Sequence, residues 1–308
     1  MASFYNCFPF IVVVFIKPLL NIHSCVEAFI PPLWGGWEGL KSMKKIVSIS
    51  ILLIICLFAQ AQEARRIVSL VPWMTKSLYL MGEQGRLVGC TNYCPVEATD
   101  KIPVVASAVK VNIEKLLMLK PDLVFASSLI KPEILDNIRK LGIKIEYMPY
   151  PKSFDEICTD FIRVGEMVGQ QAKAKTIVTQ QRDRMTNIRA KIPAGKHPKM
   201  FIQIGAKPLF CAVSQTFMDD FVTFSGGINI ASELRNGSIT REYVLAQNPD
   251  IIFIVTMGIV AEEERDTWLK YPSVSASKSK QIYILDSDKT CSPTPVLFVD
   301  ALDRKSVV

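Results

Sequence analysis

Histidine is the scarcest of the residues that carry chemistry in this sequence. The chain has two histidines, His23 and His197, and His197 lies in the short motif KHPK. A histidine-rich metal site is therefore excluded within one chain, and a Ser-His-Asp triad would require this loop residue to lie in a cleft. Glycine-rich phosphate loops of the G-x-G-x-x-G or Walker type are missing too. These absences argue against an enzyme.

Dense runs of lysine and arginine between aromatic residues are missing as well. The formal net charge is +7, from 36 basic and 29 acidic residues among 308, so the excess of positive charge is mild. A nucleic-acid partner is therefore not expected. The apolar run from Ile46 to Phe58 is shorter than the ~20 residues that a membrane-spanning helix needs.

That apolar run belongs to a segment with the three parts of a secretory signal peptide. Lys44 and Lys45 form a positive region before it, and Ala59-Gln60-Ala61 forms a small-x-small cleavage site after it. We therefore predict a signal peptide over residues 43–61, export to the periplasm and a mature chain that begins at Gln62.

The residues before the signal peptide form no coherent element. We expect Met43 to be the true start of translation, with residues 1–42 as an upstream extension. Cys56 lies inside the apolar run, but Ile55 precedes it where a lipoprotein needs a small residue. A lipid anchor is therefore not expected.

Cysteine is present in moderate number. The chain has eight cysteines, and an odd number of them follow the predicted cleavage site: Cys90, Cys94, Cys158, Cys211 and Cys291. At least one thiol must then be free. Cys90 and Cys94 could pair in an oxidising compartment, although connectivity cannot be read from spacing.

One short unit occurs twice, at an offset of 128 residues. Ile113 to Ser127 reads IEKLLMLKPDLVFAS, and Arg241 to Val255 reads REYVLAQNPDIIFIV. Each unit begins with apolar residues at helical spacing, reaches a Pro-Asp pair and continues as an apolar run. The unit therefore predicts a short helix, a sharp turn and a strand that is buried on both faces. The identical pairs are Glu114/Glu242, Leu117/Leu245, Pro121/Pro249, Asp122/Asp250 and Phe125/Phe253.

Strands and helices alternate on both sides of one long helical segment. This alternation is typical of parallel α/β sheets. We predict an N-terminal lobe over 65–152, a bridging helical region over 153–192 and a C-terminal lobe over 193–308. Within the bridge, one helix is expected from about Glu166 to Lys191. The last helix, which starts in CSPTPVLFVDAL, is expected to be truncated.

The segments RIVSLVPWMTKSLYLMGEQGRLVGCTNYCP, NIEKLLMLKPDLVFAS and FSGGINIASE resemble the helix-bridged, class III substrate-binding proteins of ABC importers for vitamin B12, iron–siderophores and haem. The resemblance covers about Arg65 to Val299. It implies two Rossmann-like α/β lobes joined by one long α-helix, with a ligand cleft between them. It also implies a monomer without a cofactor of its own, which works with a permease dimer in the inner membrane.

The resemblance implies a function for the repeated glutamate. In this family each lobe offers an exposed glutamate to an arginine pocket of the permease dimer, and Glu114 and Glu242 hold the matching positions. Carboxylate and guanidinium can form a bidentate pair. The alternative is that each is a solvated glutamate favoured by the helix dipole.

The resemblance also implies ligand contacts. Vitamin B12 binders in this family present aromatic side chains to the corrin, and Tyr93, Phe210 and Trp73 match such positions. A corrinoid is therefore the first expectation, with Tyr93 and Phe210 facing one another across the cleft. Haem, with Tyr93 as axial ligand, and an iron–siderophore are the alternatives. The chain departs from the pattern at Ala108 and Asn236, where tryptophans would strengthen the case for a corrinoid.

Overall fold

The computed structural model describes residues 63–107, 110–193, 195, 197–255 and 261–303. The predicted upstream extension, signal peptide, cleavage site and Cys56 lie outside these ranges and stay predictions. No helix within these ranges is long and apolar enough to cross a membrane.

The N-terminal lobe is a five-stranded sheet with the strand order β3-β2-β1-β4-β5, and all its strand pairs are parallel. Its central strands are continuous apolar runs because helices cover both faces. The strands are β1 (Ile67–Ser69), β2 (Leu87–Thr91), β3 (Val104–Ala106), β4 (Leu123–Ala126) and β5 (Lys144–Tyr147). The helices are α1 (Pro72–Met81), α2 (Ile113–Met118) and α3 (Pro132–Lys140).

The C-terminal lobe has a second sheet with the order β10-β9-β6-β7, in which β8 also pairs with β6. Only β7 runs antiparallel to its neighbour among these pairs. The strands are β6 (Lys199–Ala206), β7 (Leu209–Cys211), β8 (Ile228–Asn229), β9 (Ile251–Val255) and β10 (Ile282–Leu285). The helices are α6 (Phe217–Phe224), α7 (Arg241–Gln247), α8 (Ala261–Leu269), α9 (Ser275–Lys278), α10 (Ser287–Thr290) and α11 (Pro295–Leu302).

Two helices, α4 (Phe154–Met167) and α5 (Gln171–Arg189), connect the sheets. The predicted start of the long helix near Glu166 was wrong, because α4 still continues there. Gly169 has a φ of 71°, a left-handed conformation that ends α4 and lets the chain reverse. α5 then packs against α4, and a Cβ on Gly165 would lie 2.6 Å from the Cβ of Ala174.

An aromatic cluster joins the start of α4 to the C-terminal lobe. Phe154 lies 4.8 Å from Phe298 of α11, and Phe221 of α6 stacks on Phe298 at 4.3 Å between ring centroids. Asp220 of α6 accepts a hydrogen bond of 2.6 Å from the backbone nitrogen of Phe154. Apolar burial and one helix-capping carboxylate therefore fix the bridge against the second lobe.

The two copies of the repeated unit have the predicted helix–turn–strand structure. α2 leads into β4 and α7 leads into β9, and every residue of both strands is buried. Each helix begins at a side chain that caps its third residue. Asn112 accepts a hydrogen bond from the nitrogen of Lys115, and Thr240 accepts one from the nitrogen of Tyr243.

The Pro-Asp pair has the same role in both copies. Asp122 accepts a hydrogen bond of 3.1 Å from the nitrogen of Arg66, and its own nitrogen donates one of 2.9 Å to the Arg66 carbonyl. Asp250 makes the same two bonds with Lys199, at 2.9 and 2.8 Å. Each aspartate therefore joins its strand to the start of the first strand of its own sheet.

Candidate functional site

Three aromatic side chains lie where strands of the two sheets end. Tyr93 follows the carboxyl end of β2, Tyr150 follows that of β5, and Phe210 pairs with Gly205 at the end of β6. Ligands of open α/β sheets bind outside the carboxyl ends of the strands. The topology of each lobe therefore directs these aromatic residues to the edge where a ligand is expected.

Tyr93 lies in the turn after β2, and 63% of its surface is exposed. Its backbone nitrogen donates to the hydroxyl of Thr91 at 3.2 Å. The backbone nitrogen of the neighbouring Cys94 bonds the Thr91 carbonyl at 3.2 Å. The turn is thus held by its own backbone, while the Tyr93 ring is left free to contact a ligand.

Phe210 is the middle residue of β7 and is 44% exposed. A Cβ on Gly237 would lie 2.8 Å from the Cζ atom of Phe210. The ring therefore rests directly on the backbone of Gly237, where a larger residue would displace it. This contact fixes one face of the ring, and part of the ring remains exposed to solvent.

Trp73 has a different environment from the other two predicted ligand residues. It is the second residue of α1 and only 5% exposed, with its ring edge-on to Tyr150 at 5.1 Å between centroids. Its Nε1 atom is buried and has no hydrogen-bond partner among the described residues. In this structure Trp73 lies in the hydrophobic core and supports Tyr150.

Tyr150 is a site candidate that the sequence analysis missed. Its ring lies 5.4 Å from that of Phe217 in the second lobe, and its hydroxyl donates to the carbonyl of Cys291 at 3.3 Å. Burial raises the pKa of this phenol well above its usual value. Tyr150 spans the two lobes while 44% of its surface stays exposed. No local sequence signal marks it, because its contacts come from distant segments.

The thiols of Cys90 and Cys94 are free and buried. The Cys94 sulfur lies 3.2 Å from the Thr91 hydroxyl and 3.4 Å from the Ser69 carbonyl. Burial raises the pKa of Cys90 to about 11, so this thiol is protonated and unreactive at neutral pH.

Glu114 and Glu242 are the second residues of α2 and α7, and both are exposed. Hydrogen bonds from its own backbone nitrogen and from the Thr240 hydroxyl lower the pKa of Glu242 below its usual value. Each helix precedes a strand that runs parallel to its sheet, so each begins at the carboxyl edge. The two carboxylates thus occupy equivalent places in the two lobes.

Histidine and acidic side chains form no cluster of three or more potential metal ligands in the described part of the chain. The ring Nδ1 of His197 lies 2.7 Å from the carbonyl of Gly226 in a loop. His197 therefore contributes to a local loop contact at the amino end of β6.

Comparison with known proteins identifies the family of this fold. Residues 67–289 match the family described as periplasmic binding protein. The vitamin B12-binding protein of Yersinia pestis strain Pestoides F is 31% identical over 209 residues, which cover 67% of this chain and 74% of that protein.

Solved structures show the same architecture of two α/β lobes. The periplasmic vitamin B12 binding protein of Vibrio cholerae is 26% identical, with a TM-score of 0.67 over 78% of this chain and 94% of that one. The periplasmic heme binding protein of the same organism is 18% identical, with a TM-score of 0.70 over 78% and 96%. The latter likeness concerns the fold alone. The family match spans most of the chain, and this chain therefore belongs to the periplasmic binding protein family.

Proposed function

We propose that this protein is an exported substrate-binding protein that captures a corrinoid between its lobes and delivers it to an ABC importer. It binds its ligand and releases it unchanged, so it is not an enzyme. The observation that carries this proposal is the set of aromatic side chains at the carboxyl edges of both sheets. Tyr93 and Phe210 have exposed ring surface on opposite lobes, and Tyr150 lies between the lobes.

A corrinoid is favoured by the character of these side chains. Aromatic rings bind a large, flat macrocycle through apolar burial and need no charged partner. The vitamin B12-binding relative at 31% identity supports the same choice. In this proposal Tyr93 and Phe210 contact opposite faces of the ligand. Trp73 contributes to the site by supporting the ring of Tyr150.

Haem is the second candidate, and the exposed phenol of Tyr93 favours it. A tyrosine oxygen can serve as an axial ligand of haem iron. Among the described residues the one histidine, His197, is held in a loop by Gly226, so Tyr93 is the stronger candidate for such a ligand. A ferric siderophore is a weaker third candidate, because it would usually need several basic side chains in the cleft.

Glu114 and Glu242 are proposed to dock the protein on the permease dimer. Support comes from their exposure, from their equivalent positions in the repeated unit and from the family to which the chain belongs. A duplicated carboxylate matches two arginine pockets that are related by symmetry. The proposed binding protein is a monomer that acts in the periplasm.

Absorbance titration of the purified mature protein with cobinamide, cobalamin and haem tests the choice of ligand. We expect a saturable change in the corrinoid spectrum at a stoichiometry of one. A shift of the haem Soret band that is abolished by Tyr93→Phe would instead establish haem binding, because this substitution keeps the ring and removes the phenol oxygen. Binding of none of the three compounds would overturn the proposed substrate class.

A further inference from the structure

A partly buried charged network includes Arg241, the residue before the proposed docking glutamate of the C-terminal lobe. Its Nη2 atom donates to the Oε2 atom of Glu264 at 2.6 Å, and its guanidinium lies 4.7 Å from the centre of the Trp268 ring. Glu264 and Trp268 are buried residues of α8. The first residue of α7 is therefore anchored in the interior while Glu242 faces solvent.

The network continues from Glu264 to the central strand of the sheet. The Nε2 atom of Gln203 donates to Glu264 Oε2 at 2.9 Å, and its Oε1 atom accepts from Trp268 Nε1 at 2.7 Å. Gln203 is 1% exposed and lies on β6. Buried polar networks fix a unique arrangement when their members are satisfied. This one is satisfied at Gln203, Glu264 and Arg241 Nη2, whereas Arg241 Nη1 is buried without a hydrogen-bond partner among the described residues.

A second connection runs from the same strand to α7 through β7. Gln203 pairs with Cys211 in the β6–β7 hairpin, which carries Phe210. The nitrogen of Cys211 donates to the carbonyl of Gly237 at 2.8 Å, and the nitrogen of Ile239 donates to the carbonyl of Leu209 at 3.1 Å. The chain then enters α7 directly after Ile239. Backbone bonds and the charged network thus close a ring that contains both the Phe210 hairpin and α7.

Packing alone gives α7 little support. Val244 is the only fully buried residue among its seven, and the hydroxyl of Tyr243 adds one bond of 2.8 Å to the carbonyl of Ile230. The equivalent of Arg241 in the first repeat is Ile113, so the repeated unit forms with an apolar residue at this position. Well-packed apolar residues are often at least as stabilising as a buried ion pair. The charge pair is therefore not required to form the helix–turn–strand unit.

We propose that Arg241 is a positioning residue that holds Glu242 and the Phe210 hairpin as one rigid unit, so that docking and ligand contact in the C-terminal lobe are coupled. This inference rests on the docking role proposed above. Its partner is the arginine-lined surface of the permease, which the network itself does not touch. Loss of the network should leave Glu242 at the same position in α7. The orientation of α7 relative to its sheet should become variable.

The test uses Arg241→Met combined with Glu264→Gln, which removes both charges and leaves neither one buried alone. Binding is measured to the permease–ATPase complex of the same host in lipid nanodiscs, with and without cobinamide. We expect docking to weaken by about tenfold or more, and the effect of cobinamide on docking to shrink. Affinity for cobinamide alone should fall by less than docking does, because the backbone bonds from Cys211 to Gly237 and from Ile239 to Leu209 still hold the Phe210 hairpin.

Two controls separate positioning from general stability. Arg184→Met with Asp300→Asn removes a half-exposed ion pair between α5 and α11, and it should lower thermal stability only slightly without changing docking. In the Glu242→Ala background, the Arg241→Met/Glu264→Gln pair should cause no further loss of docking. The inference would be overturned if the Arg241→Met/Glu264→Gln pair weakened docking in the Glu242→Ala background as much as in the parent. It would also be overturned if the folded Arg241→Met/Glu264→Gln variant docked like the parent. If the parent protein does not bind the complex, the proposed function is wrong and the inference falls with it.

Discussion

The two copies of the repeated unit share their backbone bonds and differ in how their helices are anchored. Lys120 and Asn248 occupy equivalent left-handed positions, with φ of 46° and 49°. The side chain of Arg66 donates to the carbonyl of Leu119, and that of Lys199 donates to the equivalent carbonyl of Gln247. In each copy, a basic side chain at the start of the first strand thus closes the end of the helix.

The difference lies at the first residue of each helix. Ile113 begins α2 with an apolar side chain, whereas Arg241 begins α7 with a partly buried ion pair and a guanidinium stacked on Trp268. The repeated backbone bonds therefore define the fold of the unit, and the interior contacts of each helix decide how firmly its glutamate is held. Comparison of matched variants in the two lobes can separate these contributions.

The largest expected effect comes from removal of both proposed docking carboxylates. Glu114→Ala or Glu242→Ala alone should weaken permease binding by roughly 30-fold to several thousand-fold if the contact is desolvated, and by much less at a wet rim. The double variant should nearly abolish transport, because attachment at two points depends on both. Charge reversal to Lys should be worse than Ala, since it sets like charges together.

Glu133→Ala and Glu262→Ala are the matched controls for this prediction. Both are exposed glutamates in the first turns of helices, one in each lobe. They should leave docking and ligand affinity unchanged in the same measurements. If Glu114→Ala or Glu242→Ala lowers ligand affinity and spares docking, these residues line the pocket and the explanation of the repeat is wrong.

The second prediction compares the aromatic residues of the two lobes. Tyr93→Ala and Phe210→Ala should each weaken corrinoid binding by roughly 1–3 kcal/mol, the contribution of one buried aromatic side chain. Isothermal titration with cobinamide measures this loss. Tyr93→Phe should bind almost like the parent, because the ring face is kept. Parent-like affinity in both Ala variants would remove these residues from the site.

A third and smaller effect concerns the repeated aspartates. Asp122→Ala and Asp250→Ala should each lower the free energy of unfolding by about 1–2 kcal/mol, because each leaves backbone donors at the start of a first strand without a charged acceptor. Denaturant titration measures the change. Asp136→Ala, which removes a carboxylate with only an exposed ion pair, is the control and should change stability little. Unequal losses for Asp122 and Asp250 would show that the shared bonds contribute differently in the two lobes.

The smallest expected effect tests the outer faces of the two helices. Met118 of α2 is 80% exposed, and the equivalent residue of α7 is Ala246. Met118→Ala should weaken docking by at most about 1 kcal/mol, and Ala246→Met should strengthen it by a similar amount, if both faces touch the permease. Leu141→Ala, which truncates an apolar side chain that is 48% exposed after α3, is the control. If all three variants dock like the parent, the contact with the permease involves the carboxylates of Glu114 and Glu242 and not these apolar faces.

Local sequence patterns determined the helix–turn–strand units, the alternation of strands and helices and the family of this protein. These features can be predicted from sequence because capping residues, Pro-Asp turns and apolar runs each involve only a few neighbouring residues. The start of α5 was predicted too early because the local pattern is ambiguous there. Gly169 is a local stop signal, but the apolar spacing continues across it, and only packing of α4 against α5 decides that the chain reverses there.

Tertiary structure alone decided the features that depend on distant segments. Trp73 matches a ligand-contact position in the sequence, yet it lies in the hydrophobic core, where Tyr150, 77 residues later, packs against its ring. Cys90 and Cys94 are close in sequence, yet their thiols are buried without a bond between them. The Arg241 network joins three elements that no spacing rule connects. Burial and hydrogen-bond partners are set by which strands and helices meet, and a one-dimensional pattern does not contain that information.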